Sequence, residues 1–303
     1  MAPQFLPDSI ARVLQKVLDP TPKAHLRFED IPATTTKSTV ATRHGEVGCT
    51  IYWPKQSGPG RPGVYVNAHG GGFIIARPDQ DDPWCRFLAA RAGVVVVNVD
   101  YSVAPQARFP VPVEQLYDVL QWAAEPDRDW DGSRLCVGGH SAGGAIAAAA
   151  ARLVLENGGP SLVLQVLNYP ALDLVTPARD KGTGAKKAVI QPWMAKVFDP
   201  AYVPDPAQRR HHLVSPAWGS NSERITGIAP AVIVTAQLDR LHDEGAVYAR
   251  SLRAAGALVE HLDLPEVDHA YNLMGDSRDT TEQVYAHLAD HVLRATTTAV
   301  STT

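Results

Sequence analysis

Residues 135–144 read Leu135-Cys136-Val137-Gly138-Gly139-His140-Ser141-Ala142-Gly143-Gly144, and the chain runs on into an alanine-rich stretch. An apolar start, glycines packed around one serine and strong helix formers afterwards spell strand, turn, helix. Ser141 stands between Gly139 and Gly143 in the pattern G-x-S-x-G, and only neighbours that small leave room for so sharp a reversal. A serine held there is presented at the end of a strand. It also faces the N-terminus of a helix, whose unpaired N–H groups favour any negative charge that develops. Two other readings compete: a glycine-rich turn without chemistry, and a phosphate or dinucleotide loop. The second fails on spacing, because no glycine set fits G-x-G-x-x-G or ends in G-K-[ST].

The rest of the chain repeats that rhythm. Apolar runs at Val64 to Ala68, Val94 to Val99, Leu135 to Gly138, Val163 to Leu167, Ala231 to Thr235 and Val259 to Leu264 predict strands. The first five are almost continuously apolar, as strands covered on both faces must be. Helix-like segments lie between them at Trp84 to Ala92, Val111 to Ala124, Ala142 to Glu156, Glu244 to Ala255 and Thr281 to Leu293, with Gly93 and Gly256 placed to stop two of them. Alternating strands and helices imply right-handed crossovers and a mainly parallel sheet, so the fold class is α/β.

Two stretches break the alternation. Residues 1–45 hold a short amphipathic pattern (Ile10, Val13, Leu14, Val17) and a Thr-rich connector, and residues 174–227 carry polar turns and the aromatics Trp193, Phe198, Tyr202 and Trp218. Neither can fold alone, so they are expected to form a cap on a core made of residues 46–173 and 228–294, with residues 295–303 a frayed tail.

Composition narrows the function. With 28 Lys+Arg against 32 Asp+Glu, there is no basic excess for nucleic-acid phosphates. A hydrophobic fraction of 45% excludes a disordered chain. No basic-then-apolar leader and no 18-residue apolar stretch occur, and the three cysteines (Cys49, Cys85, Cys136) make no disulfide framework or C-x-x-C pair. A reducing cytoplasm is the expected compartment.

A nucleophilic serine needs an oxyanion site, a histidine base and a carboxylate. His69-Gly70-Gly71-Gly72 follows the first strand of the series, and consecutive glycines let backbone N–H groups converge on one point. A triple glycine alone is more often a flexible loop, but its pairing with G-x-S-x-G is specific. Asp239 and His269 each lie just past the end of a strand, in the chain order serine, acid, histidine. Asp243 and Glu244 fit the first turn of the next helix instead, and Asp268, next to the histidine, ranks below Asp239. His140 abuts the serine but should point elsewhere. His287 and His291 stand four apart on a helix without the glutamate of H-E-x-x-H, so a solvated face is expected there rather than a metal site. His211 and His212 fall in a polar loop without ligand spacing. Phe73, Trp84, Trp193, Phe198 and Tyr202 are candidates for a substrate pocket.

Taken together these residues resemble the hormone-sensitive-lipase-like carboxylesterases, a group of α/β-hydrolases. Its D-Y-R-L-A-P-E…F-P stretch is mirrored by Asp100-Tyr101-Ser102-Val103-Ala104-Pro105-Gln106…Phe109-Pro110, and its D-x-L-x-D-E-G by Asp239 to Gly245. The resemblance spans about residues 60–293. It implies a sheet of about eight strands under a helical cap, with Ser141 the nucleophile, Asp239 the acid and His269 the base. Gly71, Gly72 and the Ala142 amide resemble the oxyanion donors, supported by His69, Gly70, Gly139 and Gly143. This chain departs in having His140 before the nucleophile where Asp or Glu is usual, Tyr271 for a common Phe and Gln106 for a common Glu. These changes touch the hydrogen bonds around the triad.

The expected reaction is hydrolysis of short- to medium-chain acyl esters through an acyl-enzyme, with no cofactor and no metal. A receptor-like relative without turnover is the alternative from another class, and the retained His269 argues against it. Amide or lactone cleavage and acyl transfer would use the same triad. Members of the group often pair through sheet edges or the final helix, so a homodimer fits the resemblance.

Overall fold

The computed structural model describes residues 5–55, 60–182 and 184–298. Its centre is one eight-stranded sheet. In chain order the elements are α1 (Phe5–Val17), β1 (Thr34–Thr42), β2 (Gly45–Trp53), β3 (Val64–Ala68), α2 (Asp82–Ala92), β4 (Val95–Asp100), α3 (Val111–Ala123), β5 (Leu135–His140), α4 (Ala142–Asn157), β6 (Leu162–Asn168), α5 (Pro192–Tyr202), β7 (Ala231–Ala236), α6 (His242–Ala254), β8 (Leu258–Leu264), α7 (Tyr271–Met274) and α8 (Arg278–Thr298).

The strand order is β1-β2-β4-β3-β5-β6-β7-β8, with β1/β2 and β2/β4 antiparallel and the remainder parallel. Alternation along the strands builds two apolar layers. On β3, Val64, Val66 and Ala68 join one layer and Tyr65 the other; on β7, Ile233 joins the first while Val232 and Val234 join the second. Helices α3, α4 and α6 cover the first layer through Leu116, Ile146 and Leu252, and α2 and α8 cover the second through Leu88 and Leu288. Each fully buried valine or leucine contributes roughly 1.5–3 kcal/mol, and strands and helices both supply such residues to the two layers. The predicted stops hold, with Gly93 at φ 64° and Gly256 at φ 72°, where a side chain would be strained.

The order reverses at β3: β4 lies on one side of it and β5 on the other. At such a point the connections leave in opposite directions, and a crevice opens beyond the carboxyl ends of the two strands. The loop after β3 carries His69 to Gly72, and the turn after β5 carries Ser141. This is why two motifs far apart in sequence meet.

Two expectations about organisation need correction. Residues 34–45 are not part of a cap: β1 pairs with β2 along its whole length and forms an edge of the sheet. Only Val40 on β1 is buried, so the strand has no apolar run to announce it, although its threonines suit a pleated edge. Residues 295–298, expected in the tail, continue α8, where Thr296 is buried; residues 299–303 lie outside the described ones. The N-terminal helix and the insertion do meet, for α1 packs against α5. Gln15 ties α1 to the core by donating to the carbonyls of Ile74 at 2.8 Å and Ala104 at 2.9 Å.

Candidate active site

Ser141 sits at φ 53°, ψ −118°, a backbone conformation that costs a non-glycine residue on the order of 1–3 kcal/mol. The surroundings enforce it. A methyl group at Gly143 would overlap the carbonyl oxygens of Ala68 and His69, and one at Gly139 would overlap Ala68 and Gly143. The Ser141 amide donates to Asn168 O at 3.0 Å, anchoring the turn on β6.

Beside the serine stand the two partners expected from the sequence. The imidazole of His269 lies with Nε2 2.9 Å from Ser141 Oγ and Nδ1 2.7 Å from Asp239 Oδ2. A carboxylate can only accept, so Nδ1 carries the ring proton and Nε2 presents a lone pair to the serine hydroxyl. Asp239 and His269 are 2% and 5% exposed, which shields the contact from water. Asp239 Oδ1 accepts from the Leu241 amide at 3.0 Å. Tyr169 meets the imidazole edge-on at 4.7 Å, and Tyr271 is buried in a hydrogen bond with Asn168.

The rivals go elsewhere. Asp268 accepts from the His269 amide at 2.7 Å and the Val189 amide at 2.8 Å, so it pins the histidine's loop to the insertion without touching the imidazole. Asp243 is exposed on α6. Glu244 is buried, accepts from the Leu172 amide at 2.6 Å and pairs with Lys181. His140 points away from the serine and donates from Nδ1 to Asp81 Oδ2 at 3.0 Å, where Asn67 also donates at 2.9 Å. Asp81 thus brings a buried carboxylate to a chain that lacks one before its serine. No pattern in residues 78–82 marks it, because its role exists only once β3, β5 and the 78–81 turn come together.

The glycine loop faces the serine. Gly71 and Gly72 have φ 120° and 59°, and a methyl group at Gly72 would overlap the ring of Phe198. Among the described residues, the amides of Gly71, Gly72 and Ala142 donate no hydrogen bond, leaving three N–H groups beside the hydroxyl. His69 supports the loop from below: it is buried, stacks on Tyr101 at 4.2 Å, and burial pushes its pKa down.

A cavity of about 290 Å³ opens over Ser141 and His269. Its walls are mainly apolar, including Phe73, Leu174, Ile190, Met194, Phe198 and Met274. Of the aromatics expected there, Phe73 and Phe198 line it and three do not. Trp84 is buried on the other side of the sheet against Tyr65 and Tyr285, because its position on α2 faces the second layer. Tyr202 stacks behind Phe73 at 4.2 Å, and Trp193 is 49% exposed with its edge toward Phe198. Three charged residues that sequence reasoning missed, Asp173, Lys181 and Asp199, also border the cavity, together with Glu244. Lys181 Nζ donates to Asp173 O at 2.6 Å and pairs with Glu244. Burial opposes the Lys181 charge, but Glu244, Asp173 and Asp199 together more than offset it and hold the ammonium's pKa above its usual value. Burial raises Asp199 to about 7, against the pull of Lys181 and Arg209.

His287 and His291 do not form a solvated face; both contact Glu260 on β8. His211 and His212 stack on each other at 4.4 Å, with His212 on Glu156. Among the described residues no helix is long and apolar enough to cross a membrane.

The chain matches known proteins over this same region. A family model described as the alpha/beta hydrolase fold matches residues 65–273. The chain is similar to carboxylesterase NlhH of Mycobacterium tuberculosis, at 35% identity over 230 residues, covering 75% of this chain and 71% of that protein. It is 32% identical over 290 residues to the carboxylic ester hydrolase LipN of the same organism, covering 91% and 73%. Ethyl acetate hydrolase of Pseudomonas putida is 32% identical over 251 residues, covering 81% and 78%. Among solved structures, a hyperthermophilic esterase from the archaeon Pyrobaculum calidifontis superposes with a TM-score of 0.80 at 27% identity, covering 96% of this chain and 92% of that one.

Proposed function

Because the chain belongs to the hormone-sensitive-lipase-like carboxylesterases of the α/β-hydrolase family and is a serine hydrolase of carboxylic esters, we propose that Ser141, His269 and Asp239 carry its reaction on short- to medium-chain acyl esters. What supports this most is the unbroken line from Asp239 through His269 to Ser141, with contacts of 2.7 and 2.9 Å, beside three undonated amides.

In this mechanism His269 Nε2 takes the Ser141 proton as Oγ attacks the ester carbonyl. The carbonyl oxygen becomes an oxyanion and accepts from the Gly71, Gly72 and Ala142 amides, each worth on the order of 3 kcal/mol in the transition state. The imidazolium, oriented by Asp239 at Nδ1, returns the proton from Nε2 to the departing alcohol. An acyl-serine remains. Water then attacks it with His269 again as base, releasing the acid and restoring the hydroxyl. Residues 5–33, together with 174–182 and 184–227, act as the cap that closes the cavity. A receptor without turnover would need the His269 contact to be broken.

The cavity's apolar walls favour a modest acyl chain. Each buried methylene is worth about 0.8 kcal/mol, or roughly fourfold in kcat/KM, until the chain outgrows the space. On p-nitrophenyl esters, rates should climb from acetyl and fall before dodecanoyl; a maximum at dodecanoyl overturns the chain-length reading. Ser141→Ala should abolish hydrolysis of the butanoyl ester, and a rate equal to the parent's overturns the assignment of the nucleophile. Three buried free thiols fit a reducing cytoplasm. Exposed Val259 on β8 and Leu293 on α8 fit pairing of two copies through that edge.

A further inference from the structure

Three metal-ligating side chains converge outside the cavity, where the final helix lies beside the edge strand of the sheet. His287 and His291 are four apart on α8 and so project from one helix face. Glu260, on β8, meets both: its Oε2 lies 2.9 Å from His287 Nε2 and 2.6 Å from His291 Nε2. The three donor atoms fall within 4.8 Å of one another. His291 is buried, whereas His287 and Glu260 are half-buried, so the point of convergence is reachable from solvent on one side.

We propose that Glu260, His287 and His291 form a binding site for a transition-metal dication, with zinc the reference ion and water its remaining ligand. Two imidazole nitrogens and one carboxylate oxygen suit zinc, nickel or copper rather than magnesium or calcium, which prefer oxygen donors. Three protein ligands and one open position is the pattern of sites that keep a water. With bonds of about 2.0–2.2 Å, tetrahedral ligand atoms stand roughly 3.3 Å apart, so Glu260 must withdraw by about half an ångström from its present hydrogen bonds. Each imidazole then carries its proton on Nδ1 and offers Nε2 to the ion. Arg294 lies near His291 and opposes the cation, while Asp290 lies near His287 and favours it, although Arg91 already engages that carboxylate.

The position gives the ion a mechanical effect. Strand β8 ends at Leu264 and α8 begins at Arg278, so the site joins the two ends of the segment that carries His269. Binding is expected to stabilise that segment without entering the ester reaction.

The test uses tag-free, chelator-stripped full-length protein titrated with zinc chloride by calorimetry near neutral pH. One ion per chain is expected, with a higher Tm in its presence. The variants Glu260→Gln and His287→Gln should each weaken binding by at least about tenfold. Cobalt should give the intense visible band of a tetrahedral site in the parent and lose it in the His287→Ala/His291→Ala double variant. Hydrolysis of p-nitrophenyl butyrate by the metal-free variants reports that they are folded; if the double variant is not, His287→Gln, at a half-exposed position, decides by the same titration. Absence of binding by the parent, or binding of parental strength by a folded His287→Gln variant, overturns the proposal.

Discussion

At the scale of single residues, Asp199 is the group whose behaviour is least expected from its type. It borders an apolar cavity, and burial raises its carboxyl to about 7 from an ordinary value of 3.8. Because the folded state holds the proton more tightly than the unfolded one, stability is greatest below the unfolded pKa and declines as pH rises through about 7. Asparagine cannot ionise and keeps the shape. Asp199→Asn should therefore gain over the parent as pH rises, by about 2 kcal/mol between roughly pH 5.5 and 8. Denaturant unfolding at the two pH values checks this, and an equal difference at both defeats it. The KM of the parent for butanoyl ester should rise over the same range, and the variant's should stay flat. Nothing in the sequence around Asp199 announces this, and the same holds for Asp81 and Glu260. Ser141, Asp239 and His269 were legible because their chemistry fixes residue type, chain order and position after a strand. A carboxylate that matters only through what folds against it leaves no such trace.

At the scale of elements, the central strands and the helices that cover them could be read directly, because burial on both faces demands continuous apolar runs. The first hairpin could not. Strand β1 spends its β-branched threonines on an exposed edge, so its signal is conformational preference without hydrophobicity. Helix α1 was visible as an amphipathic pattern, but its docking site was not, since that depends on one polar side chain. Gln15 donates to Ile74 O and Ala104 O, which flank the loop holding Phe73, and exchanges a further bond with Gln106 at 3.0 Å. Here the Gln106 departure from the family pattern finds its partner. Gln15→Ala would leave those carbonyls without this donor, so a loss of about 1–3 kcal/mol is expected. The loss should appear as a lower midpoint in urea, with kcat on p-nitrophenyl butyrate changed far less than by Ser141→Ala. An unchanged midpoint would show that α1 is held by its apolar contacts alone.

At the scale of the whole molecule, the reversal of strand order at β3 matters more than any single element, because it brings the loop after β3 and the turn after β5 to one crevice. Local patterns imply a parallel sheet but not its order, which is set by how the crossovers pack rather than by any one segment. Whether the antiparallel hairpin belongs to the same cooperative unit as the parallel strands is a physical question, and the three cysteines are placed to answer it. Cys49 lies on β2 in the first apolar layer, while Cys85 on α2 and Cys136 on β5 lie in the second. All three are free and buried. Burial pushes the Cys49 thiol up to about 12, and raises Cys85 and Cys136 as well. Since the thiolate is the reactive form, alkylation of the native protein must wait for an opening that exposes each site. Strand β2 is bonded to β4 from Gly48 to Tyr52, across the register that holds Cys49 against Val99. Exposing Cys49 therefore requires breaking the sheet where β4 also supports β3. The three thiols should become modified at one common rate in iodoacetamide, followed by peptide mass spectrometry. Cys49 labelling more than about tenfold ahead of the others would instead make the hairpin a separately opening unit.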